Sequence, residues 1–75
     1  MDLKEVLSLN LLRMRQRSGR TQEEMAHVLG ISARYLGSIE RGRVSPSVTL
    51  LGKMAGALDV DPCTLIRRPN EEDAP

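Results

Sequence analysis

The strongest constraint in this sequence is a pair of short helix signals separated by only three residues. Thr21-Gln22-Glu23-Glu24 has the pattern of a capping box, in which the Thr hydroxyl accepts from a helical N–H and the last Glu reaches back to the Thr N–H. Gly30 ends this helix and Ser32 is a good N-cap for the next one. Because only Gly30-Ile31-Ser32 lies between them, the second helix must cross the first at a steep angle.

Three further helices are predicted from apolar periodicity and end signals, and no segment shows the alternation typical of a strand. The first helix covers roughly residues 3–17, with leucines at the spacing of one face, and Ser18-Gly19 ends it. A fourth helix follows Ser47, and its apolar face is predicted to contain Val48, Leu51, Met54, Ala55 and Leu58. Asp61-Pro62 predicts a short fifth helix over about residues 62–67. The fold class is therefore all-α, a compact five-helix domain.

The length of 75 residues allows one small domain. We assign residues 1–67 to this domain and residues 68–75 to an acidic tail that is predicted to be disordered. Cys63 is the single cysteine, and with His27 alone beside it no zinc site of the usual Cys/His kind is complete, so neither a metal nor a cofactor is expected. The sequence also shows no nucleophile–base pair or phosphate-cradling loop, so an enzyme is not expected.

No apolar stretch approaches the ~18 residues of a membrane span, and the N-terminus lacks the basic and apolar pattern of a signal peptide. A cytoplasmic location is therefore expected.

The net charge of +1 hides an uneven distribution along the chain. Residues 13–43 contain seven arginines and three glutamates, a net of +4, whereas residues 59–75 contain two arginines and five acidic residues, a net of −3. Arginine suits bidentate contacts to phosphate and guanine better than lysine does. The positive charge thus coincides with the two closely spaced helices and favours a nucleic-acid partner, with surface arginine that serves only solubility as the alternative.

The run from Gln22 to Gly42 resembles the helix-turn-helix of the phage-repressor family, also called the XRE or Cro/repressor family. The matching positions are the polar start of the first helix, the small residue at the helix crossing, the turn, the buried positions of the second helix and the segment after it: Gln22, Ala26, Gly30, Ile31, Leu36, Ile39, Glu40-Arg41-Gly42 and Pro46. The resemblance covers roughly residues 6–66. It implies a repressor-like DNA-binding domain, and restriction–modification controllers and small phage-type repressors are family members of this minimal size.

In that family the second helix of the pair lies in the major groove with its N-terminal residues at the base edges. The resemblance therefore implies DNA base contacts by Ala33, Arg34 and Ser38, and Arg34 is the candidate for a bidentate contact to guanine. The implied DNA backbone contacts are Thr21, Gln22, Ser32, Tyr35, Arg41 and Arg43. For Thr21 and Ser32 a capping role is the alternative, and for Tyr35 the alternative is a side chain that supports the helix.

Two structural features are also expected. The resemblance implies an ion pair between Arg15 and Glu40 that ties the first helix to the end of the third. A homodimer is predicted because one domain of this size rarely binds DNA tightly alone, whereas two copies double the contacts on an inverted repeat. The candidate interface consists of surplus apolar residues, Leu58, Val60, Leu65 and Ile66, with Leu9 or Leu12 as alternatives.

These features predict a sequence-specific regulator of transcription that binds double-stranded DNA. The expected form is a repressor or autoregulator that binds an inverted-repeat operator as a homodimer through the major groove. We expect it to act at the nucleoid, with RNA polymerase as a further candidate partner and with no membrane or small-molecule ligand. An antitoxin and a protein-interaction module of the same fold are the alternative functions.

Overall fold

The computed structural model describes residues 2–69, which form five α-helices and no strand. In chain order these helices are α1 (Leu3–Ser18), α2 (Gln22–Leu29), α3 (Ala33–Glu40), α4 (Val48–Leu58) and α5 (Pro62–Ile66). The prediction of an all-α five-helix domain is confirmed. Of the predicted acidic tail, only Arg68 and Pro69 are among the described residues, and residues 70–75 lie outside them.

The paired helices begin and end at the residues that the sequence indicated. The Thr21 hydroxyl accepts from the Glu24 N–H at 3.1 Å, and the Glu24 carboxylate accepts from the Thr21 N–H at 2.8 Å, which completes the capping box. α2 ends at Gly30, whose φ of 73° lies in the left-handed region that a Cβ disfavours. The Ser32 hydroxyl then accepts from the Tyr35 N–H and starts α3. The chain thus changes direction between two helices within three residues.

A single hydrophobic core fixes α3 against the other helices. α1 packs against α3 and α5, α2 packs against α3 and α4, and α4 packs against α5. The largest fully buried side chains are Leu11, Met25, Leu36, Ile39, Met54, Leu65 and Val6. Because the sequence contains no Phe or Trp, aliphatic and thioether side chains fill this core. α3 contributes Leu36 and Ile39 to it and therefore presents its opposite face outward.

Two apolar residues that the periodicity assigned to buried faces lie at the surface. Leu3 is 50% exposed and Val48 is 84% exposed. Each is the first residue of its helix, directly after the cap, at the edge of the bundle where the neighbouring helices do not cover it. The buried face of α4 is therefore shorter than predicted.

Within residues 2–69, no helix is long and apolar enough to cross a membrane. In the same range, no group of three or more His, Cys, Asp and Glu side chains is placed to hold a metal ion.

The capping box of α2 makes stability depend on pH. Hydrogen bonds from the Thr21 backbone and hydroxyl, and then the charge of Arg20, hold the pKa of Glu24 below its ordinary value of 4.5. A lowered pKa gives a stabilisation that is present above the pKa of the unfolded chain and is lost as the pH falls through the folded value. We therefore expect Glu24→Gln to flatten the decline in Tm below about pH 4.5, measured by thermal unfolding between pH 7 and pH 3.

Glu23→Gln is the matched control, since Glu23 lies in the same turn and makes no side-chain hydrogen bond within the described residues. It should keep the wild-type pH profile. Parallel profiles for the wild type and Glu24→Gln would contradict the prediction.

Candidate nucleic-acid interface

The outward face of α3 carries two of the three predicted base-contact residues. Arg34, Ser38 and Arg41 follow the i, i+4, i+7 spacing of one helix face, opposite the buried Leu36 and Ile39. Arg34 is exposed and Ser38 is half-buried. This row of side chains is the surface that α3 offers to a partner, and we call Arg34, Ser38 and Arg41 the reading face.

Ala33 and Tyr35 lie away from the centre of that face. Both are half-buried and pack against the hydrophobic core. The Tyr35 side chain makes no hydrogen bond within residues 2–69. This placement agrees with the alternative in which Tyr35 supports the helix. Part of the Ala33 side chain and part of the Tyr35 side chain remain at the surface.

Thr21 and Ser32 both act as helix caps. Each hydroxyl accepts a hydrogen bond from a backbone N–H, of Glu24 and of Tyr35 respectively. A hydroxyl that accepts in this way retains its own proton for donation. Ser32 is therefore able to donate to an anion, whereas the Thr21 hydroxyl also lies against the Glu24 carboxylate.

The carboxylate of Glu40 connects three helices. Its side chain is 5% exposed and accepts from Arg15 Nε at 2.7 Å, from Arg15 Nη2 at 3.2 Å and from Gln22 Nε2 at 2.8 Å. The Arg15 side chain is 17% exposed, and its Nη1 also donates to the Arg20 carbonyl at 3.1 Å. The ion pair that the resemblance implied is present, and it joins α1, α2 and α3 at one point.

The same network fixes what Gln22 can offer to DNA. One Nε2 hydrogen is donated to Glu40, so the second Nε2 hydrogen remains, together with the backbone N–H groups of Gln22 and Glu23 that the capping box does not use. These are donors at the positive end of a helix dipole, which is the arrangement that binds an anion. The Gln22 side chain therefore makes a structural hydrogen bond and keeps one donor hydrogen that is not used within the described residues.

Arg41 turns back onto α3 instead of extending into the following loop. Gly37 is buried, and a Cβ on it would lie 3.2 Å from Arg41 Nη1, 3.7 Å from Arg41 Nη2 and 3.6 Å from Gln22 Nε2. The sequence signalled this only by a glycine inside a helix four residues before an arginine. The guanidinium of Arg41 and the amide of Gln22 thus converge beside the reading face.

Three arginines at this surface have no internal partner. Arg34, Arg41 and Arg43 are exposed, and their side chains make no hydrogen bond or ion pair within residues 2–69. Arg15, in contrast, is engaged by Glu40. Three unpaired positive charges therefore lie on and just after α3.

The predicted dimer interface is wrong at one position. Leu65 is 0% exposed and lies in the core, so it has no surface to offer to a second copy. Its neighbours Leu58, Val60 and Ile66 are half-buried and pack against the core with part of their surface outward.

Other apolar residues are more accessible. Leu3 and Val48, the most exposed large apolar side chains, line a depression that also includes Ile66. The alternatives Leu9 and Leu12 are half-buried and line a different depression, between α1 and the end of α3.

Comparison with known families adds an independent observation. The family model HTH_3, helix-turn-helix, matches residues 11–65 of the chain. This segment includes the whole of α2, α3 and α4.

Individual relatives agree with that match. The HTH-type transcriptional regulator y4dJ of Sinorhizobium fredii is 39% identical over 71 residues, which cover 95% of this chain and 92% of the relative. The crystal structure of the hypothetical transcription factor NHTF from Neisseria has a TM-score of 0.86 at 35% identity and covers 95% of this chain and 82% of that chain. The crystal structure of the restriction-modification controller protein C.AhdI from Aeromonas hydrophila has a TM-score of 0.74 at 32% identity. It covers 83% of this chain and 90% of that chain.

Removal of one charge from the Glu40 network should destabilise the fold. In Glu40→Gln the charge of Arg15 remains in a largely buried place without its partner, so we expect the free energy of unfolding to fall by about 2–4 kcal/mol in urea titrations. The double variant Arg15→Gln/Glu40→Gln should lose less than the sum of the two single variants. Strictly additive losses would show that the two side chains do not interact.

Proposed function

Because the chain belongs to the HTH_3 family of DNA-binding helix-turn-helix transcriptional regulators, we propose that it is a repressor or autoregulator that reads an inverted-repeat operator as a homodimer. The match to the family model confirms the resemblance to the XRE-type family. This family consists of transcriptional regulators, which are not enzymes. We propose that this chain binds the DNA of the nucleoid, in the cytoplasm.

One observation carries the proposal: the reading face is exposed, contains Arg34 and Arg41 without internal partners, and is held in place by the buried Glu40 network. With α3 in the major groove, the Arg34 guanidinium donates to O6 and N7 of a guanine, a contact that discriminates by about 1–3 kcal/mol. Ser38 adds a short donor and acceptor, and Ala33 offers only a methyl contact of the kind that thymine accepts.

The remaining contacts position the domain on the duplex. Donors for phosphate oxygens are the N–H groups of Gln22 and Glu23, the Ser32 hydroxyl and the Arg43 guanidinium. Such contacts fix the register of the protein and add affinity that falls with salt, but they do not select sequence.

Two copies are needed for tight and selective binding. One domain of this size makes few contacts, and a two-fold symmetric pair doubles them across half-sites about 34 Å apart. We propose that Leu58, Val60 and Ile66 form the contact between copies, as surplus apolar surface near α5. Regulation would then follow from occupancy of the operator, as a block to RNA polymerase or as a contact with it. The likeness to C.AhdI favours a role as a restriction–modification controller.

Selection of bound sequences from random duplex DNA tests the proposal directly. We expect an inverted repeat, and we expect Arg34→Ala to relax the preference at one base pair in each half-site, with a loss of about 1–3 kcal/mol on the preferred sequence. Arg43→Ala should instead weaken binding to all sequences equally and make the salt dependence shallower by about one unit.

An equal loss on all sequences in Arg34→Ala would make Arg34 a phosphate contact. If no duplex is bound at low salt, the DNA-binding function fails and a protein-interaction module of the same fold is favoured.

Sedimentation velocity tests the dimer. The wild type should form a dimer in solution or on the operator, and Ile66→Ser should shift it towards the monomer because it removes apolar surface from the proposed contact. Circular dichroism checks that this variant remains folded. A monomer at every accessible concentration, with and without operator, would contradict the prediction.

A further inference from the structure

We propose that Gly37 is a positioning residue for DNA binding, because its lack of a side chain leaves the space in which the Arg41 guanidinium lies beside Gln22. Together, Arg41 and Gln22 then hold one phosphate group of the DNA backbone. The inference rests on the proposed DNA-binding function and identifies what places Arg41 within it.

The first step is the geometry at Gly37. One point in space, the position of a Cβ on Gly37, lies within 3.7 Å of Arg41 Nη1, Arg41 Nη2 and Gln22 Nε2. A contact of 3.2 Å to Nη1 is closer than side-chain carbons normally approach a neighbour. A methyl group at this position therefore requires the guanidinium to shift slightly, and a larger side chain occupies the space in which it lies.

The second step is that the backbone conformation does not require a glycine here. α3 has only eight residues, and glycine inside a helix is less favourable than alanine. Gly37 is not among the residues with positive φ, so its backbone does not require glycine. Gly52 in α4 differs, because a Cβ there would have no neighbour within 4 Å. The close approach of Arg41 is the feature that sets Gly37 apart.

The third step concerns the chemistry of the two converging groups. The guanidinium of Arg41 and the Nε2 group of Gln22 are both donors, so they do not bond to each other. Gln22 is oriented by its hydrogen bond to Glu40, and Arg41 has no acceptor of its own within the described residues. Two donors that face one space, one of them charged, suit a phosphate oxygen, and the free N–H groups at the start of α2 lie on the same side.

The operator affinities of variants at Arg41, Gly37 and Gly52 test the proposal. Arg41→Ala should weaken binding roughly tenfold or more, as expected for loss of a charged hydrogen bond, and should make the salt dependence shallower by about one unit. Gly37→Leu should reproduce both effects, and Gly37→Ala should show a smaller loss, roughly threefold. Gly52→Ala is the matched control, with unchanged affinity.

The alanine variants at the two glycines should be more stable than the wild type, whereas operator affinity falls in Gly37→Ala. Gly37→Ala and Gly52→Ala both replace a helical glycine, so each should raise Tm by roughly 2–8 °C. A weaker operator complex formed by a more stable protein separates loss of positioning from loss of folding.

The double variants decide how Gly37 acts. If it acts through Arg41, Gly37→Ala and Gly37→Leu cost no further affinity in the Arg41→Ala background. Equal losses in both backgrounds would mean that the new side chain meets the DNA itself, and they would overturn the proposal, as would unchanged affinity in Gly37→Leu. A wild type that binds no duplex DNA overturns the proposed function and this inference with it, whereas additive losses with normal wild-type binding overturn this inference alone.

Discussion

The orientation of the reading face depends on one interaction, the contact of the Glu40 carboxylate with Arg15 and Gln22. α2 and α3 each have eight residues, which is too short for a helix to be stable in isolation. Burial of Leu36 and Ile39 holds α3 against the core, but apolar contact alone does not fix the rotation of a helix end. Glu40 fixes this rotation, because a nearly buried carboxylate must remain hydrogen-bonded to its donors, Arg15 and Gln22. The Ser8 hydroxyl adds a second link from α1 by donating to the Glu40 backbone carbonyl.

This network distinguishes Arg15 from the arginines on and just after α3. Arg15 is neutralised within the protein, so its charge contributes to the fold and adds little to the field outside. Arg34, Arg41 and Arg43 keep their charge for a partner. The low net charge of the chain is therefore compatible with DNA binding, because the useful charge is local. A modest total also limits the non-specific attraction that every duplex exerts on a basic protein.

Helix bounds could be predicted from the sequence because they depend on neighbouring residues. The caps at Thr21 and Ser32 and the stop at Gly30 are chemical features of three or four consecutive positions. Exposure was harder to predict. Val48 and Leu65 both fit an apolar period, yet one is at the surface and the other is in the core, because burial at a helix end is decided by which other helix reaches it.

The ion pair between Arg15 and Glu40 came from a family resemblance, since no local pattern joins residues 25 positions apart. The position of Arg41 was not predictable in this way either. Its guanidinium lies where a side chain on Gly37 would be, near the Gln22 amide, which tertiary packing brings close.

The structure separates positions at which DNA specificity can change from positions at which it cannot change independently. Gln22 donates to Glu40 and faces the proposed phosphate position, so a substitution there alters folding and binding together. Arg34 has no internal partner, and its replacement removes nothing from the core or from the Glu40 network. Arg41 is intermediate, because its position depends on Gly37 while its charge stabilises no other residue by an ion pair. A change of operator should therefore begin at Arg34 and Ser38, because replacement of these proposed base contacts leaves the Glu40 network intact.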